Sequence, residues 1–210
     1  MTRYLGLVLL LSPAPALATP AELCDLAAEQ AAAESGVPLA LMRAITRVET
    51  GRDAAPWPWT LNVDGQGAWF DSAEAAIDAA DQAIAAEVEQ LDIGCFQLNL
   101  RWHGRNFADL SDMIDPLANA RHAARFLAAL HAEKGNWREA AAAYHSRTPD
   151  LAEAYLTRLE AAHEADPLTA PETPTEPRTN GYPLLLAGQS GAVGSIVPQG
   201  RAMAPLIGAP

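Results

Sequence analysis

An amphipathic segment near the start of the chain runs Leu41-Met42-Arg43-Ala44-Ile45-Thr46-Arg47-Val48-Glu49-Thr50-Gly51. Leu41, Ile45 and Val48 recur at helical spacing, which predicts a helix with one face against a core. Gly51 is a residue type that commonly ends helices. Glu49 then lies in the last turn, where the helix dipole and partial burial both raise the pKa of a carboxyl group. Taken alone, the segment favours a solvated charge at Glu49 over a general acid.

Helical patterns continue on both sides of this segment. An Ala-rich run over 22–34 stops at Ser35-Gly36. Asp71, with Glu74 three residues later, predicts a capping box for a helix to about Gln90. Further helices are expected after the cap pair Asp115-Pro116 as far as Gly135, after Asn136 through Trp137, Ala140 and Tyr144, and over about 150–164.

One stretch has the alternation of strands instead. Residues 57–63 alternate apolar and polar side chains, residues 64–67 read Asp-Gly-Gln-Gly, and Ala68-Trp69-Phe70 follows. This pattern predicts a β-hairpin. Many helices with one hairpin indicate a mainly helical α+β domain over residues 19–165.

Both ends of the chain differ from this domain. Residues 1–18 combine Arg3, a short apolar run and Ala16-Leu17-Ala18, which predicts a cleavable signal peptide and no membrane anchor after its removal. Export to the periplasm follows from it. Residues 166–210 are rich in Pro, Gly, Thr and Ala, which is typical of a largely disordered tail. The tail is either a tether or a docking segment for a partner.

Charge and cysteine content narrow the classes of protein. The formal net charge of −12 argues against binding nucleic acid or anionic membrane surfaces. The histidines show no spacing with acidic or Cys partners that predicts a metal site, and no cofactor is expected. Cys24 and Cys95 are either one disulfide, which an oxidising compartment favours, or two buried thiols.

Three short blocks occur in order along the helical domain: Glu49-Thr50-Gly51, then Gly94-Cys95-Phe96-Gln97-Leu98-Asn99, then Ala143-Tyr144-His145. Together they resemble the soluble lytic transglycosylase family, which has a lysozyme-like fold. The resemblance covers nearly all of residues 22–160. It departs from the family where Thr50 replaces Ser, where Cys95-Phe96 replace Leu-Met, and where His145 stands in place of Asn.

The resemblance implies cleavage of the β-1,4 bond between N-acetylmuramic acid and N-acetylglucosamine in a peptidoglycan strand, with formation of 1,6-anhydromuramic ends. It makes Glu49 the catalytic residue, acting first as acid and then as base. Thr50, Gln97, Asn99, Tyr144 and His145 become the substrate-binding residues. Tyr144 is expected to orient Glu49 through its hydroxyl group, or else to be a core aromatic residue. Asn99 is a sugar contact or a helix cap, and His145 is equally a sugar contact or a cap.

Four tryptophans, Trp57, Trp59, Trp69 and Trp102, are candidate stacking platforms for sugar rings or packed core residues.

Two other functions remain open. A lysozyme-like hydrolase needs a second carboxylate to hold water, for which Asp53, Asp64 and Asp92 are candidates. An inactive peptidoglycan-binding scaffold would keep the groove without the chemistry. The hairpin and the tail resemble features of small exported transglycosylases that serve flagella or secretion systems, so a protein of such an apparatus is the expected partner of residues 166–210.

Overall fold

The computed structural model describes residues 18–53 and 55–166. The expected signal peptide and the Pro-rich tail lie outside this range, apart from their boundary residues Ala18 and Asp166.

The described part of the chain is mainly helical with one small antiparallel sheet, which confirms the predicted fold class at this level. Its helices are α1 (Pro20–Ser35), α2 (Leu39–Thr50), α3 (Ala73–Ala85), α4 (Leu100–His103), α5 (Leu110–Ile114), α6 (Pro116–Lys134), α7 (Trp137–His145) and α8 (Pro149–Ala165), with a 3₁₀ turn at Gly104–Asn106. Its strands are β1 (Thr60–Val63), β2 (Gln66–Trp69), β3 (Leu91–Ile93) and β4 (Leu98–Asn99).

Small side chains let the helices approach closely. The buried face of α1 consists of one cysteine and four alanines, and α1 packs against α6 and α2. Helix α6 contributes Ala120, Ala123, Ala124 and Leu127 to the same core, and α8 packs against α2. The predicted apolar face of α2 is confirmed, since Ile45 is fully buried and its neighbours Leu41 and Val48 pack on the core.

Local capping fixes where these helices begin. The Thr19 side chain and Glu22 form a capping box at the start of α1. The predicted caps Asp115 and Asn136 are confirmed, because their side chains accept backbone N–H bonds in the first turns of α6 and α7. Gly51 ends α2 with φ −51°, so it is not a left-handed cap; a Cβ there would collide with the Arg47 carbonyl group.

The predicted hairpin is confirmed, and it is part of a larger sheet. Strands β1 and β2 pair antiparallel around Asp64 and Gly65, whose positive φ angles of 46° and 85° suit a two-residue hairpin turn. The sequence did not predict β3 and β4, which extend the sheet in the order β2-β1-β3-β4. Strands β3 and β4 flank Gly94 on its two sides, so the sheet fixes the position of the segment between them.

Helix α3 was predicted with the wrong limits. Its cap is Ser72, whose hydroxyl group accepts from Ala75 N–H at 3.2 Å, and not Asp71. The helix ends at Ala85 instead of near Gln90, because Glu87 takes a left-handed φ of 55°. Gln90 N–H then donates to Asp64 Oδ1 at 2.9 Å, which joins the end of this segment to the hairpin turn.

Two long-range links close the domain. Cys24 on α1 is bonded to Cys95, with Cα atoms 5.7 Å apart, in agreement with the expected disulfide. Arg47 on α2 pairs with Asp25 on α1 at 2.8 Å and with Asp166, which follows α8, at 3.2 Å. Over the described residues, none of the helices has the length and apolar character needed to cross a membrane.

Candidate functional site: a cleft around Glu49

A cleft of about 940 Å³ opens beside the sheet. This volume is near the upper end of the range of about 300–1,000 Å³ that ligand pockets usually occupy. Its walls come from α2, the sheet, α4, α6 and α7, and both polar and aromatic side chains face it. The lining residues include Glu49, Asn62, Glu89, Gln90, Asp92, Gln97, Leu98, Asn99, Arg101, Trp102, His103, Phe126, Ala143, Tyr144, His145, Ser146 and Arg147.

Glu49 projects into this cleft from the last turn of α2, and it is partly buried. Burial is the main reason that its pKa rises to about 7, and the nearby charge of Asp92 raises it further. A hydrogen bond from Tyr155 and the positive charge of Arg158 oppose this shift. The result is a carboxyl group that is protonated in about half of the molecules at neutral pH.

Tyr155, on α8, holds the carboxyl group of Glu49 in place. Its hydroxyl group donates to Glu49 Oε1 at 2.7 Å, and its ring is fully buried. The His145 ring stacks on it with centroids 4.4 Å apart and planes within 3° of parallel. Burial, and then the charge of Glu49, raise the pKa of Tyr155 well above its usual value, so the hydroxyl group stays a donor.

The sequence interpretation missed Tyr155. The available signal was a single tyrosine on the otherwise apolar face of α8, beside Leu156 and Leu159. A buried tyrosine hydroxyl group usually has a hydrogen-bond partner, so a tyrosine on an apolar face indicates a polar group within the core.

The expected role of Tyr144 needs correction. Its hydroxyl group donates to the Phe96 carbonyl oxygen at 2.7 Å, and the hydrogen bond to Glu49 comes from Tyr155 instead. Tyr144 still lines the cleft, and its ring contacts Phe126 with centroids 5.5 Å apart. It therefore fastens the segment around Phe96 to α7 and contributes an aromatic wall.

The Gly94–Gln97 segment carries Gln97 into the cleft. Gly94 has a φ of 82°, and a Cβ there would lie 2.7 Å from Asn119 Nδ2, so only glycine fits. Gln97, also with a positive φ, donates through Nε2 to the Thr60 and Gly94 carbonyl oxygens at 3.1 and 3.0 Å. Both amide hydrogens are occupied, which leaves Gln97 Oε1 to accept from a ligand.

Asn119, buried on α6, supports the same segment from behind. Its Oδ1 accepts from Phe96 N–H at 3.0 Å, and its Nδ2 donates to the carbonyl oxygens of Ile93 and Met113 at 3.0 and 2.9 Å. These bonds join the buried amide of Asn119 to three backbone groups of the segment and its neighbours. The sequence analysis did not predict this role, because no local pattern distinguishes a buried asparagine near the start of α6 from an exposed one.

Asn99 acts as a helix cap, one of its two expected roles. Its Oδ1 accepts from Arg101 N–H at 3.1 Å at the start of α4, and its Nδ2 donates to Asp92 Oδ1 at 2.8 Å. Asp92 is partly buried, which raises the pKa of its carboxyl group. Asn99 lines the cleft, but both ends of its amide are already engaged within the protein.

Thr50 was expected to bind substrate, and the structure places it beneath the surface and outside the lining of the cleft. It is 1% exposed and does not line the cleft. Its hydroxyl group donates to the Thr46 carbonyl oxygen at 2.8 Å and accepts from Trp57 N–H at 3.0 Å. Thr50 thus ties the chain after α2 back to the helix that carries Glu49.

Of the four candidate tryptophan platforms, Trp102 lines the cleft, with 67% of its surface exposed. Trp57 and Trp69 donate their indole N–H groups to backbone carbonyl oxygens. Trp59 packs edge-on against Trp57. These three therefore support the hairpin.

The fold and the cleft together define a class of site: a protonatable carboxyl group, held by a buried tyrosine, in an open polar cleft with aromatic walls. Such a group is suited to general acid chemistry. Within residues 18–53 and 55–166, no three His, Cys, Asp or Glu side chains are grouped so that they could hold a metal ion. Neither a family model, nor a curated protein, nor a solved structure matches the chain.

Proposed function

We propose that the chain is a peptidoglycan lytic transglycosylase with a lysozyme-like domain, and that Glu49 carries the chemistry. The observation that supports this most strongly is the state of Glu49: a pKa raised to about 7, in a cleft, with one carboxyl oxygen accepting from Tyr155. Because Oε1 accepts that bond, Oε2 is the oxygen that carries the transferable proton.

The reaction needs only this one carboxyl group. Glu49 gives its proton to the glycosidic oxygen as the bond from that oxygen to C1 of N-acetylmuramic acid breaks. The substrate's own C6 hydroxyl oxygen then bonds to C1, and its proton passes to the ionised Glu49. The product is a 1,6-anhydro ring, no water is consumed, and Glu49 returns to its starting state. Proximity within one sugar replaces a second nucleophile.

The other cleft residues suit an oligosaccharide. Gln97 Oε1 accepts from hydroxyl or acetamido N–H groups without adding charge beside Glu49. His145 faces the cleft and packs on Tyr155, so it borders both the substrate and the acid. With a formal net charge of −12, the chain is expected to bind a glycan through hydrogen bonds and stacking.

A hydrolase is the second candidate, and one observation favours it. Of the three aspartates named as candidates, Asp92 lines the cleft with Glu49, and its charge acts on Glu49. Asp64 instead accepts from Gln90 N–H in the hairpin turn. In a hydrolase, Asp92 would activate a water molecule and the product would keep a free reducing end.

Mass spectrometry of digested peptidoglycan separates the two reactions. The full chain is incubated with purified sacculi, and anhydro ends, which lack the mass of one water, indicate a transglycosylase. Glu49→Gln should abolish product release. Glu89→Gln is the matched control, since Glu89 is an exposed glutamate on the same cleft and should keep activity. Hydrated products, or equal turnover by Glu49→Gln, would refute the proposal; no product from well-folded chain would favour a binding scaffold.

The cellular setting is a second part of the proposal: export to the periplasm, with the tail binding a protein of a flagellum or secretion system. Asp166 is 2% exposed and pairs with Arg47, so a deletion that spares the domain should begin at residue 167. Removing 167–210 should leave cleavage of sacculi unchanged and weaken capture of the partner. Loss of cleavage would contradict this division of roles.

A further inference from the structure

A pair of histidines lies in the wall of the cleft, apart from the Glu49 group. His103 Nδ1 and His122 Nε2 are 3.0 Å apart. His122 is 9% exposed, and its ring contacts the Phe107 ring, with centroids 5.1 Å apart. His103 lines the cleft and packs edge-on against Phe126 at 5.0 Å. This pair has no part in the reaction proposed above.

The other ring nitrogen of His122, Nδ1, decides which of the two rings donates the hydrogen bond. His122 Nδ1 is buried and has no hydrogen-bond partner among the described residues. If His103 donated, His122 would carry its hydrogen on Nδ1 and bury an unpaired N–H group, which proteins rarely do. His122 Nε2–H therefore donates to His103 Nδ1. His103 then carries its own hydrogen on Nε2.

The pair stays neutral in this arrangement. Burial lowers the pKa of His122 to about 4, helped by the charges of His103 and Arg125. Burial also lowers the pKa of His103. At pH 7 the bond is thus between two neutral rings, and the Nε2–H of His103 is fixed as a donor.

The neighbouring residue adds a stacking surface. Trp102 precedes His103 on α4, lines the same cleft and is the most exposed of the large apolar side chains in the described chain. The Arg101 guanidinium lies over the Trp102 ring at 5.3 Å from its centroid. An exposed indole beside a fixed N–H donor is suited to a sugar, which offers an apolar ring face and acceptor oxygens along its edge.

We propose that Trp102 and His103 form a second saccharide subsite of the cleft, in which a sugar ring lies on the indole and an acceptor oxygen takes the His103 Nε2–H. From the subsite, a row of contacting rings runs along the cleft from His103 through Phe126 to Tyr144. It rests on the proposed function only in the choice of sugar; the hydrogen-bond direction holds independently.

The tautomer is tested first, by long-range ¹H–¹⁵N correlation NMR of the full chain at pH 7. Both His103 and His122 should carry hydrogen on Nε2 and none on Nδ1. Hydrogen on Nδ1 of His103 would overturn the assignment, because that ring would then donate to His122 and leave its other nitrogen as an acceptor. Assignment of the signals uses His103→Phe and His122→Phe.

Binding is tested with the N-acetylglucosamine tetramer as probe, by calorimetry in the full-length Glu49→Gln background. His103→Phe keeps the ring contact with Phe126 and removes the donor, so the Kd should rise about three- to tenfold. Trp102→Ala should raise the Kd about tenfold or more. The matched control is His131→Phe, since His131 stacks on Trp137 away from the cleft lining; it should leave the Kd unchanged.

An unchanged Kd for His103→Phe or for Trp102→Ala, or no binding of the tetramer at all, would overturn the subsite. A third result would distinguish failure of the proposed function from failure of the subsite. If sacculi yield no anhydro products while tetramer binding still depends on His103 and Trp102, the subsite stands and the transglycosylase assignment fails.

Discussion

Replacing Glu49 by Gln should make the protein more stable, by an amount that depends on pH. The glutamine side chain has nearly the same shape, and its amide oxygen can still accept from the Tyr155 hydroxyl group. A pKa raised from the ordinary 4.5 to about 7 corresponds to about 3 kcal/mol between the two protonation states. Water in the cleft screens part of this, so about 2–3 kcal/mol is expected.

The raised pKa of Glu49 decides whether the wild type gains or loses stability as the pH rises. Below pH 4.5 the carboxyl group is neutral in both the folded and the unfolded chain, and it causes no pH dependence. Between pH 4.5 and about 7 the unfolded chain ionises while the folded chain keeps its proton, so the wild type loses stability as the pH rises. Above that window the difference between wild type and Glu49→Gln should be constant and at its largest.

Urea unfolding followed by tryptophan fluorescence measures this difference at pH 4.5, 6 and 8. Glu89→Gln is the control for the general effect of removing a carboxylate from the cleft. A free-energy difference between wild type and Glu49→Gln that stays the same at all three pH values would refute a raised Glu49 pKa. The reasoning for a general acid at neutral pH would fail with it.

Three further predictions follow from the contacts around the cleft. Tyr155→Phe should lower cleavage of sacculi about tenfold or more and move the alkaline limb of the pH–rate profile upward, because the lost hydrogen bond stabilised the ionised acid; an unmoved limb would contradict this. Asn119→Ala removes three buried hydrogen bonds to the backbone and should cost about 3 kcal/mol in urea unfolding, and a cost below about 1 kcal/mol would show that water replaces the amide. The double change Cys24→Ala and Cys95→Ala opens a link of 71 residues and should cost about 2–4 kcal/mol relative to the oxidised wild type in thermal unfolding. The reduced wild type is the control and should unfold like the double variant.

The sequence was sufficient to predict the helices, the hairpin and the helix caps whose pattern lies within a few neighbouring residues. The helix that carries Glu49 follows from the spacing of Leu41, Ile45 and Val48, and the hairpin follows from alternation around Asp64-Gly65. Caps at Asp115 and Asn136 were equally readable, because a side chain and the backbone groups it satisfies lie within three residues.

Hydrogen bonds between residues far apart in the chain could not be predicted from such local patterns. The partner of Glu49 is 106 residues away, and the partner of Tyr144 is 48 residues away. Periodicity shows which face of a helix is buried, but not which buried hydroxyl group meets which acceptor. Strands β3 and β4 were missed for a related reason, since segments of three and two residues are too short to show alternation.

The bond between Tyr155 and Glu49 also makes the acid depend on the far end of the domain. Helix α8 is the last helix of the described chain in sequence order, and it supplies the group that holds the acid. Before α8 docks on α2, the carboxyl group lacks both its donor and much of the packing that raises its pKa. Under the proposed function, a chain that ends after α7 would keep the residues that line the cleft and lose the tyrosine that holds Glu49, so cleavage would depend on the docking of the last helix.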